Sequence, residues 1–103
     1  MKRLGLVLAT ADEDDRRHLV GLAAAAAGAG IATRVFAMHH GVASVCADPA
    51  VRARLAELGC DLVACATSAD RAGVDLAAAV VEAGSQDDHA ALCAWADRVV
   101  AFT

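Results

Sequence analysis

The sequence predicts an α/β domain in which a five-stranded, mostly parallel sheet lies between two layers of helices. Short apolar runs alternate with longer helical segments in the order β-α-β-α-β-(α)-β-α-β, which is typical of parallel sheets with helices on both faces. Capping residues and glycines mark most boundaries between these segments. The chain has 103 residues, of which 58% are hydrophobic. We therefore expect one domain over residues 1–103, with a flavodoxin-like, three-layer α/β/α arrangement.

The first part of the chain predicts two strands and one long helix. Residues 4–9 form an apolar run that fits a buried first strand. Asp12 can cap the helix that follows, and the acidic residues after it suit the positive end of the helix dipole. We expect this helix to run to about Ala29 and to stop at Gly30. The β-branched residues within 31–37 predict the second strand.

The middle of the chain predicts a loop followed by a helix. Residues 38–41 are expected to form a loop, and Cys46 should lie in the same irregular stretch. Asp48 and Pro49 together indicate a helix start, with Asp as the N-cap and Pro at the first helical position. Gly59 is expected to end that helix.

The last part of the chain predicts two further strands and a final helix. Residues 61–65 are short and apolar, as expected of a central strand. Residues 70–73 indicate a turn or a single helical turn, and residues 76–83 are ambiguous between helix and strand. Ser85 is a candidate N-cap for the final helix. Residues 98–102 predict the closing strand.

Charge and hydropathy exclude several classes of protein. The net charge is −4, and the nine basic residues do not cluster, so we expect no nucleic-acid binding. The longest uncharged stretch, residues 18–33, is shorter than the roughly 20 apolar residues of a membrane span. The apolar run near the N-terminus is also too short for a signal peptide. These observations predict a cytoplasmic protein without membrane contact.

The cysteines give no pattern of disulfides or of metal ligation. There are four of them, and none forms a Cys-x-x-Cys pair. A cytoplasmic chain with this apolar content does not need disulfides, and the spacing of Cys60 and Cys65 does not match a zinc site. We therefore expect no metal. Cys60 and Cys93 are expected to pack in the interior.

Candidate site residues follow three of the predicted strands. Ligands of open α/β sheets bind at the carboxyl ends of the strands. Thr10 and Asp12 follow the first strand, and the adjacent His39 and His40 follow the second. The third strand ends in a group of polar or reactive residues: Cys65, Thr67, Ser68, Asp70 and Arg71. The fold should therefore bring Cys65 near at least one histidine.

Cys65 is the candidate nucleophile. Turn amides near Thr67 and Ser68, with the charge of Arg71 close by, would favour its thiolate. The alternative is that Cys65 is simply a small buried hydrophobic residue.

The two adjacent histidines are the candidates for tuning that thiolate. In extended chain only one of His39 and His40 can face a pocket. The alternative is that both are surface loop residues. His18 and His89 are expected to lie at solvent-facing helix starts and to have no role.

Four segments resemble the DsrE/DsrF/TusD-type family of small sulfur-relay proteins, and the resemblance covers nearly the whole chain. They are residues 35–42 (VFAMHHGV), 65–74 (CATSADRAGV), 81–85 (VEAGS) and 97–102 (DRVVAF). Three features differ from the family pattern, and one of them is the segment between Gly73 and Val80, which is shorter than in many members. Ser68 stands where some members carry a second cysteine, and Ala72 separates Arg71 from Gly73, which are adjacent in the family.

The resemblance implies a sulfur carrier that accepts and passes sulfane sulfur as a persulfide on Cys65. Chemistry carried by a cysteine persulfide would need no cofactor. It also implies sulfur-donor and sulfur-acceptor proteins as partners, and a homo-oligomer, either a trimer or a hexamer. An apolar surface too large for a small monomer independently favours self-association. One alternative is a non-catalytic oligomeric subunit that binds a small ligand or a protein partner. Another is a redox-sensing thiol that pairs with Cys46.

Overall fold

Five parallel strands form one sheet in the order β4-β3-β2-β1-β5, and six helices surround it. The computed structural model describes all residues, Met1–Thr103. The predicted three-layer α/β/α fold is confirmed. The strands are β1 Arg3–Leu8, β2 Ala32–Ala37, β3 Asp61–Cys65, β4 Glu82–Gly84 and β5 Arg98–Phe102. The helices are α1 Glu13–Gly28, α2 His40–Cys46, α3 Pro49–Glu57, α4 Ala66–Ala72, α5 Leu76–Ala79 and α6 Gln86–Trp95.

The side chains of β1 point alternately to the two faces of the sheet, and their contacts show which helices cover each face. Helix α6 contacts β1 and β2, and it lies so close that a Cβ on Gly5 would be 2.5 Å from Leu92 Cδ2. Neighbouring residues of a strand point to opposite faces, so Leu4 and Leu6 face the other layer. Helices α1 and α3, which contact each other, contribute to that second layer. The core therefore lies on both sides of the central strands β1 and β2.

The predicted helix starts are confirmed by their caps. Asp12 Oδ1 accepts hydrogen bonds from the backbone N–H groups of Asp14 and Asp15 at 2.7 and 3.1 Å. Asp48 Oδ1 accepts from the Val51 N–H at 3.1 Å, and Ser85 forms a reciprocal capping box with Asp88. These bonds satisfy N–H groups that have no partner within the helix. None of the six helices has the length and hydropathy needed to cross a bilayer.

Helix α2 is the element that the sequence did not predict. The stretch expected to be irregular is helical from His40 onward, and Cys46 is the last residue of that helix. Glycine and the β-branched valines of this segment have low helix propensity. Packing compensates, because Val42 and Val45 are fully buried and a Cβ on Gly41 would overlap the Leu8 carbonyl oxygen. Glycine is therefore required where α2 approaches β1.

The two ambiguous regions of the second half also form regular structure. The expected turn over residues 70–73 is the end of α4, and Gly73 ends the helix in the left-handed conformation, at φ +68°. Residues 76–79 form the helix α5, whereas Val80 and Val81, the strand alternative, connect it to β4, which begins at Glu82. Strand β4 places Gly84 opposite Cys65 at the edge of the sheet. The segment that follows β4 is thereby brought next to Cys65.

Candidate functional site

A cavity of about 560 Å³ opens at the carboxyl ends of β2, β3 and β4. The structure places six of the predicted candidate residues around it: Cys65, His39, His40, Thr67, Ser68 and Arg71. Asp70, which the sequence analysis grouped with them, does not line the cavity. Ser85 and Gln86, at the start of α6, complete its polar lining. No carboxylate lines the cavity. Most of the lining residues are therefore polar, and they include the positive charge of Arg71 and one thiol.

Cys65 lies at the inner wall of this cavity. It is the last residue of β3, is only 4% exposed, and directly precedes α4. Its Sγ accepts a hydrogen bond from Gln86 Nε2 at 3.8 Å. Burial by itself raises the pKa of the Cys65 thiol. Hydrogen bonds from the Ser68 side chain and backbone, from Gln86 and from the Thr67 backbone outweigh burial and lower the pKa overall.

The electrostatic origin of this pKa differs from the expected one. The turn amides of Thr67 and Ser68 contribute as predicted. The charge of Arg71 and the imidazoles of His39 and His40 line the cavity but are not among the causes of the lowered pKa. Hydrogen bonds act over contact distance, whereas a charge across an open, hydrated cavity is screened. The lowered pKa of Cys65 thus comes from Ser68, Gln86 and Thr67 beside the sulfur and not from the charge of Arg71.

Ser68 connects Cys65 to an unusual backbone at His39. The His39 N–H donates to Ser68 Oγ at 2.9 Å. His39 has φ 53° and ψ −134°, a combination that residues with a side chain rarely adopt. Such a conformation costs about 1–3 kcal/mol and persists only where the surroundings hold it. The Ser68 hydroxyl and the close packing of the following Gly41 supply that restraint.

Both histidines line the cavity, so the expectation that only one of them would do so is wrong. That expectation assumed extended backbone, in which neighbouring side chains point to opposite sides. His39 instead leaves the strand with a positive φ, and His40 begins α2. Their rings lie 5.6 Å apart between centroids. Both side chains are exposed.

The sequence analysis missed Gln86, which lines the cavity, and His89, which lies beside it and contacts Gln86. Gln86 is the first residue of α6, and its amide contacts the Cys65 sulfur. His89, expected to face solvent without a role, is half-buried, and its ring stacks on Phe36 with 5.3 Å between centroids. The strand-end rule could have found Gln86, but only if residues 82–84 had been recognised as a strand beside β3.

A second cavity, also of about 560 Å³, lies at the carboxyl ends of β1 and β5. The strand order reverses between these two strands, a position at which α/β proteins often bind ligands. His39 and His40 line both cavities, and His89 lines this second one. Thr10 also lines it, but its hydroxyl already donates to Asp15 Oδ2 at 2.6 Å. The predicted Asp12 is occupied by capping α1.

The other cysteines are free and lie outside the cavity of Cys65. Burial raises the pKa of Cys46, with partial compensation by Arg52, and burial together with the charge of Asp61 raises the pKa of Cys60. Cys93 is exposed, so the expectation that it packs is wrong. Helix α6 buries the adjacent Leu92, and the next side chain along a helix points about 100° away. No group of three or more His, Cys, Asp or Glu residues is placed to hold a metal ion.

Comparison with known proteins identifies the fold but not a family. No protein-family model matches the chain, and no curated protein matches it. Among solved structures, it is similar to the conserved protein of unknown function BT1422 from Bacteroides thetaiotaomicron, with a TM-score of 0.74 and 15% identity. The match covers 96% of this chain and 94% of that one. At this identity the similarity shows a shared fold only, so the function must be argued from the site.

Proposed function

We propose that the protein is a sulfurtransferase-like sulfur carrier that accepts sulfane sulfur on Cys65 as a persulfide and passes it on. The observation that carries this proposal is the position of Cys65 at the wall of a cavity, where its Sγ lies 3.8 Å from Gln86 Nε2 and Ser68, Gln86 and Thr67 lower its pKa. A thiolate, rather than a thiol, is the attacking species in sulfur exchange. The resemblance to DsrE-type proteins supports the same reaction.

In the loading step, the Cys65 thiolate attacks the outer sulfur of a donor persulfide. A new S–S bond forms between Cys65 Sγ and that sulfur, while the S–S bond of the donor breaks. The donor leaves as a thiolate, and the transferred sulfur keeps its proton or its charge. The step is an exchange between sulfur atoms, so it consumes no external oxidant or reductant.

In the unloading step, an acceptor thiolate attacks the outer sulfur of the Cys65 persulfide. Cys65 is then the leaving group, and thiols of lower pKa leave faster. The hydrogen bonds from Ser68, Gln86 and the turn amides therefore assist both steps. They stabilise the attacking thiolate during loading and the departing thiolate during unloading.

The lining of the cavity suits an anionic sulfur group. Arg71 is positively charged, the imidazoles of His39 and His40 are available hydrogen-bond partners, and no carboxylate faces the cavity. A cavity lined by one sign of charge concentrates ligands of the opposite sign. A persulfide anion on a donor is such a ligand.

The partners in this scheme are a sulfur-donor protein, a sulfur-acceptor protein and further copies of the same chain. Self-association is supported by apolar exposure on the edge strand β5, where Val99 and Val100 are 40% and 37% exposed. A trimer or a hexamer is the form that the family resemblance implies. Free thiols on all four cysteines fit a reducing compartment such as the cytoplasm.

One observation favours the alternative of a non-catalytic binding subunit. Cys65 is only 4% exposed, so a donor must deliver its sulfur through the cavity rather than at the surface. In the alternative, the cavity holds a small ligand and Cys65 is part of its wall. The two functions differ in whether Cys65 gains sulfur.

The experiment is incubation of the protein with a low-molecular-weight persulfide, followed by mass spectrometry of the intact chain and of its peptides. We expect a mass increase of one sulfur atom that maps to the peptide containing Cys65. Cys65→Ser should abolish this increase, and Cys93→Ser, which removes an exposed thiol outside the cavity, should retain it. Equal loading of the wild type and Cys65→Ser would favour the binding-subunit function.

A further inference from the structure

The Gln86 side chain joins the candidate nucleophile to a histidine that does not touch it. Its amide nitrogen donates to Cys65 Sγ at 3.8 Å, and its amide oxygen lies 3.0 Å from His89 Nδ1. Both contacts use the single amide group at the end of one flexible side chain. Whether His89 Nδ1 donates or accepts a hydrogen bond therefore decides which end of the Gln86 amide faces the sulfur.

The hydrogen-bonding chemistry fixes which atom faces which partner. An amide oxygen can only accept a hydrogen bond, so the contact requires a proton on His89 Nδ1. In that arrangement the NH₂ end of Gln86 points at the sulfur and stabilises a thiolate. The reversed amide would instead place a carbonyl oxygen against the thiolate, which repels it. A proton on Nδ1 therefore selects the productive orientation.

The position of His89 is itself held by the core. Its ring stacks on Phe36 with an interplanar angle of 8°, and Phe36 is only 1% exposed. Gln86, by contrast, is exposed, and a free glutamine samples many rotamers whose loss opposes ordering. A rigid partner at the amide oxygen reduces the number of rotamers that Gln86 occupies. The amide nitrogen then stays near Cys65 before any substrate arrives.

We propose that His89 is a positioning residue that orients Gln86, so that the Gln86 amide stabilises the Cys65 thiolate. This inference deepens the proposed sulfur-carrier function, on which its biological meaning rests. It predicts that the two residues act as one unit: His89 influences Cys65 only through Gln86, and its influence disappears when Gln86 cannot donate.

The test is a double-mutant cycle on the alkylation of Cys65, measured with iodoacetamide over a range of pH and quantified by peptide mapping. His89→Phe keeps a ring that can stack on Phe36 but removes the N–H donor. Gln86→Leu removes the amide. We expect each single variant to slow alkylation at neutral pH by about two- to threefold and to move the pH–rate midpoint upward. The double variant should match Gln86→Leu alone.

Several results would overturn the proposal. One is an unchanged alkylation profile in His89→Phe, and another is an equal slowing by His89→Phe with and without Gln86→Leu, which would indicate a structural effect. Gln86→Glu is a second variant at an exposed position, and it should slow alkylation more than Gln86→Leu because a carboxylate faces the thiolate. Slowing by Gln86→Glu no greater than by Gln86→Leu would also contradict it.

Two comparisons separate this inference from other causes. His18→Phe makes the same substitution at an exposed histidine of α1 and should leave the Cys65 profile unchanged. The readout is alkylation, which requires no sulfur donor. The role of His89 in orienting Gln86 can therefore be confirmed even if persulfide loading fails, and it can be refuted even if loading succeeds.

Discussion

Replacing Ser68 with alanine tests the electrostatic origin of the Cys65 reactivity. The Ser68 hydroxyl lowers the pKa of Cys65, and it also accepts a hydrogen bond from the strained His39 backbone at 2.9 Å. A hydrogen bond to a charged group contributes about 1.5–3 kcal/mol. Only about half of this free energy appears as a lower alkylation rate, because a thiolate of higher pKa is also more nucleophilic. Water entering the cavity replaces part of the lost bond.

We therefore expect Ser68→Ala to slow alkylation of Cys65 at neutral pH by about three- to tenfold. The midpoint of the pH–rate profile should move to higher pH, because the hydrogen bond that lowers the thiol pKa is lost. At pH values well above the midpoint the variant should react at least as fast as the parent. The assay is peptide-mapped alkylation in a Cys93→Ser background, which removes the exposed thiol.

The matched control is Ser44→Ala. Ser44 is buried on α2 and accepts a hydrogen bond from Arg16 Nη1 at 2.7 Å, but it does not line the cavity. Loss of this hydrogen bond should lower the free energy of unfolding by about 1–3 kcal/mol and leave the pH–rate profile of Cys65 alkylation unchanged. If Ser68→Ala leaves the pH–rate profile of Cys65 unchanged, or if both variants move its midpoint equally, the Ser68 hydroxyl does not lower the pKa of Cys65.

Three further predictions concern stability and assembly. Val80 is 90% exposed and left-handed at φ 56°, so Val80→Asn should raise the free energy of unfolding by about 1 kcal/mol in denaturant titration; no gain would contradict the strain argument. Asp97 accepts from the Lys2 and Arg3 N–H groups, which lower its pKa. Asp97→Asn should therefore lower the free energy of unfolding at neutral pH. The difference from the parent should become smaller as pH falls through the lowered pKa of Asp97, and a difference that does not depend on pH would contradict this. Val99→Lys with Val100→Lys should reduce the sedimentation coefficient if β5 mediates self-association, whereas an unchanged oligomer would exclude β5.

The fold was predictable because local signals agree with tertiary structure over most of the chain. The caps at Asp12, Asp48 and Ser85 bound real helices, and the apolar runs between them are real strands. Helix α2 was not predictable, because its own residues disfavour a helix and only burial against the sheet stabilises it. Strand β4 contains three residues, Glu-Ala-Gly, with no apolar signal. This segment forms a strand because it pairs with β3.

The candidate site was predictable where it depends on strand ends and unpredictable where it depends on side-chain geometry. Cys65 ends β3, and Ser68 and Arg71 lie on the helix that follows it, so their proximity follows from chain position alone. The contact between Gln86 and the Cys65 sulfur requires β4 to lie beside β3, a long-range pairing that no local pattern encodes. The exposure of Cys93 depends on which face of α6 meets the sheet.

Transfer of sulfur from Cys65 to an acceptor thiol shows directly whether the protein carries sulfur. The protein is loaded with a persulfide, freed of excess donor, and mixed with a small acceptor thiol, and both species are followed by intact mass. We expect Cys65 to lose one sulfur atom as the acceptor gains one. Cys65→Ser should transfer no sulfur, and Cys93→Ser should transfer as much as the parent. If the protein takes up no sulfur at Cys65, or retains that sulfur in the presence of the acceptor, it is not a sulfur carrier.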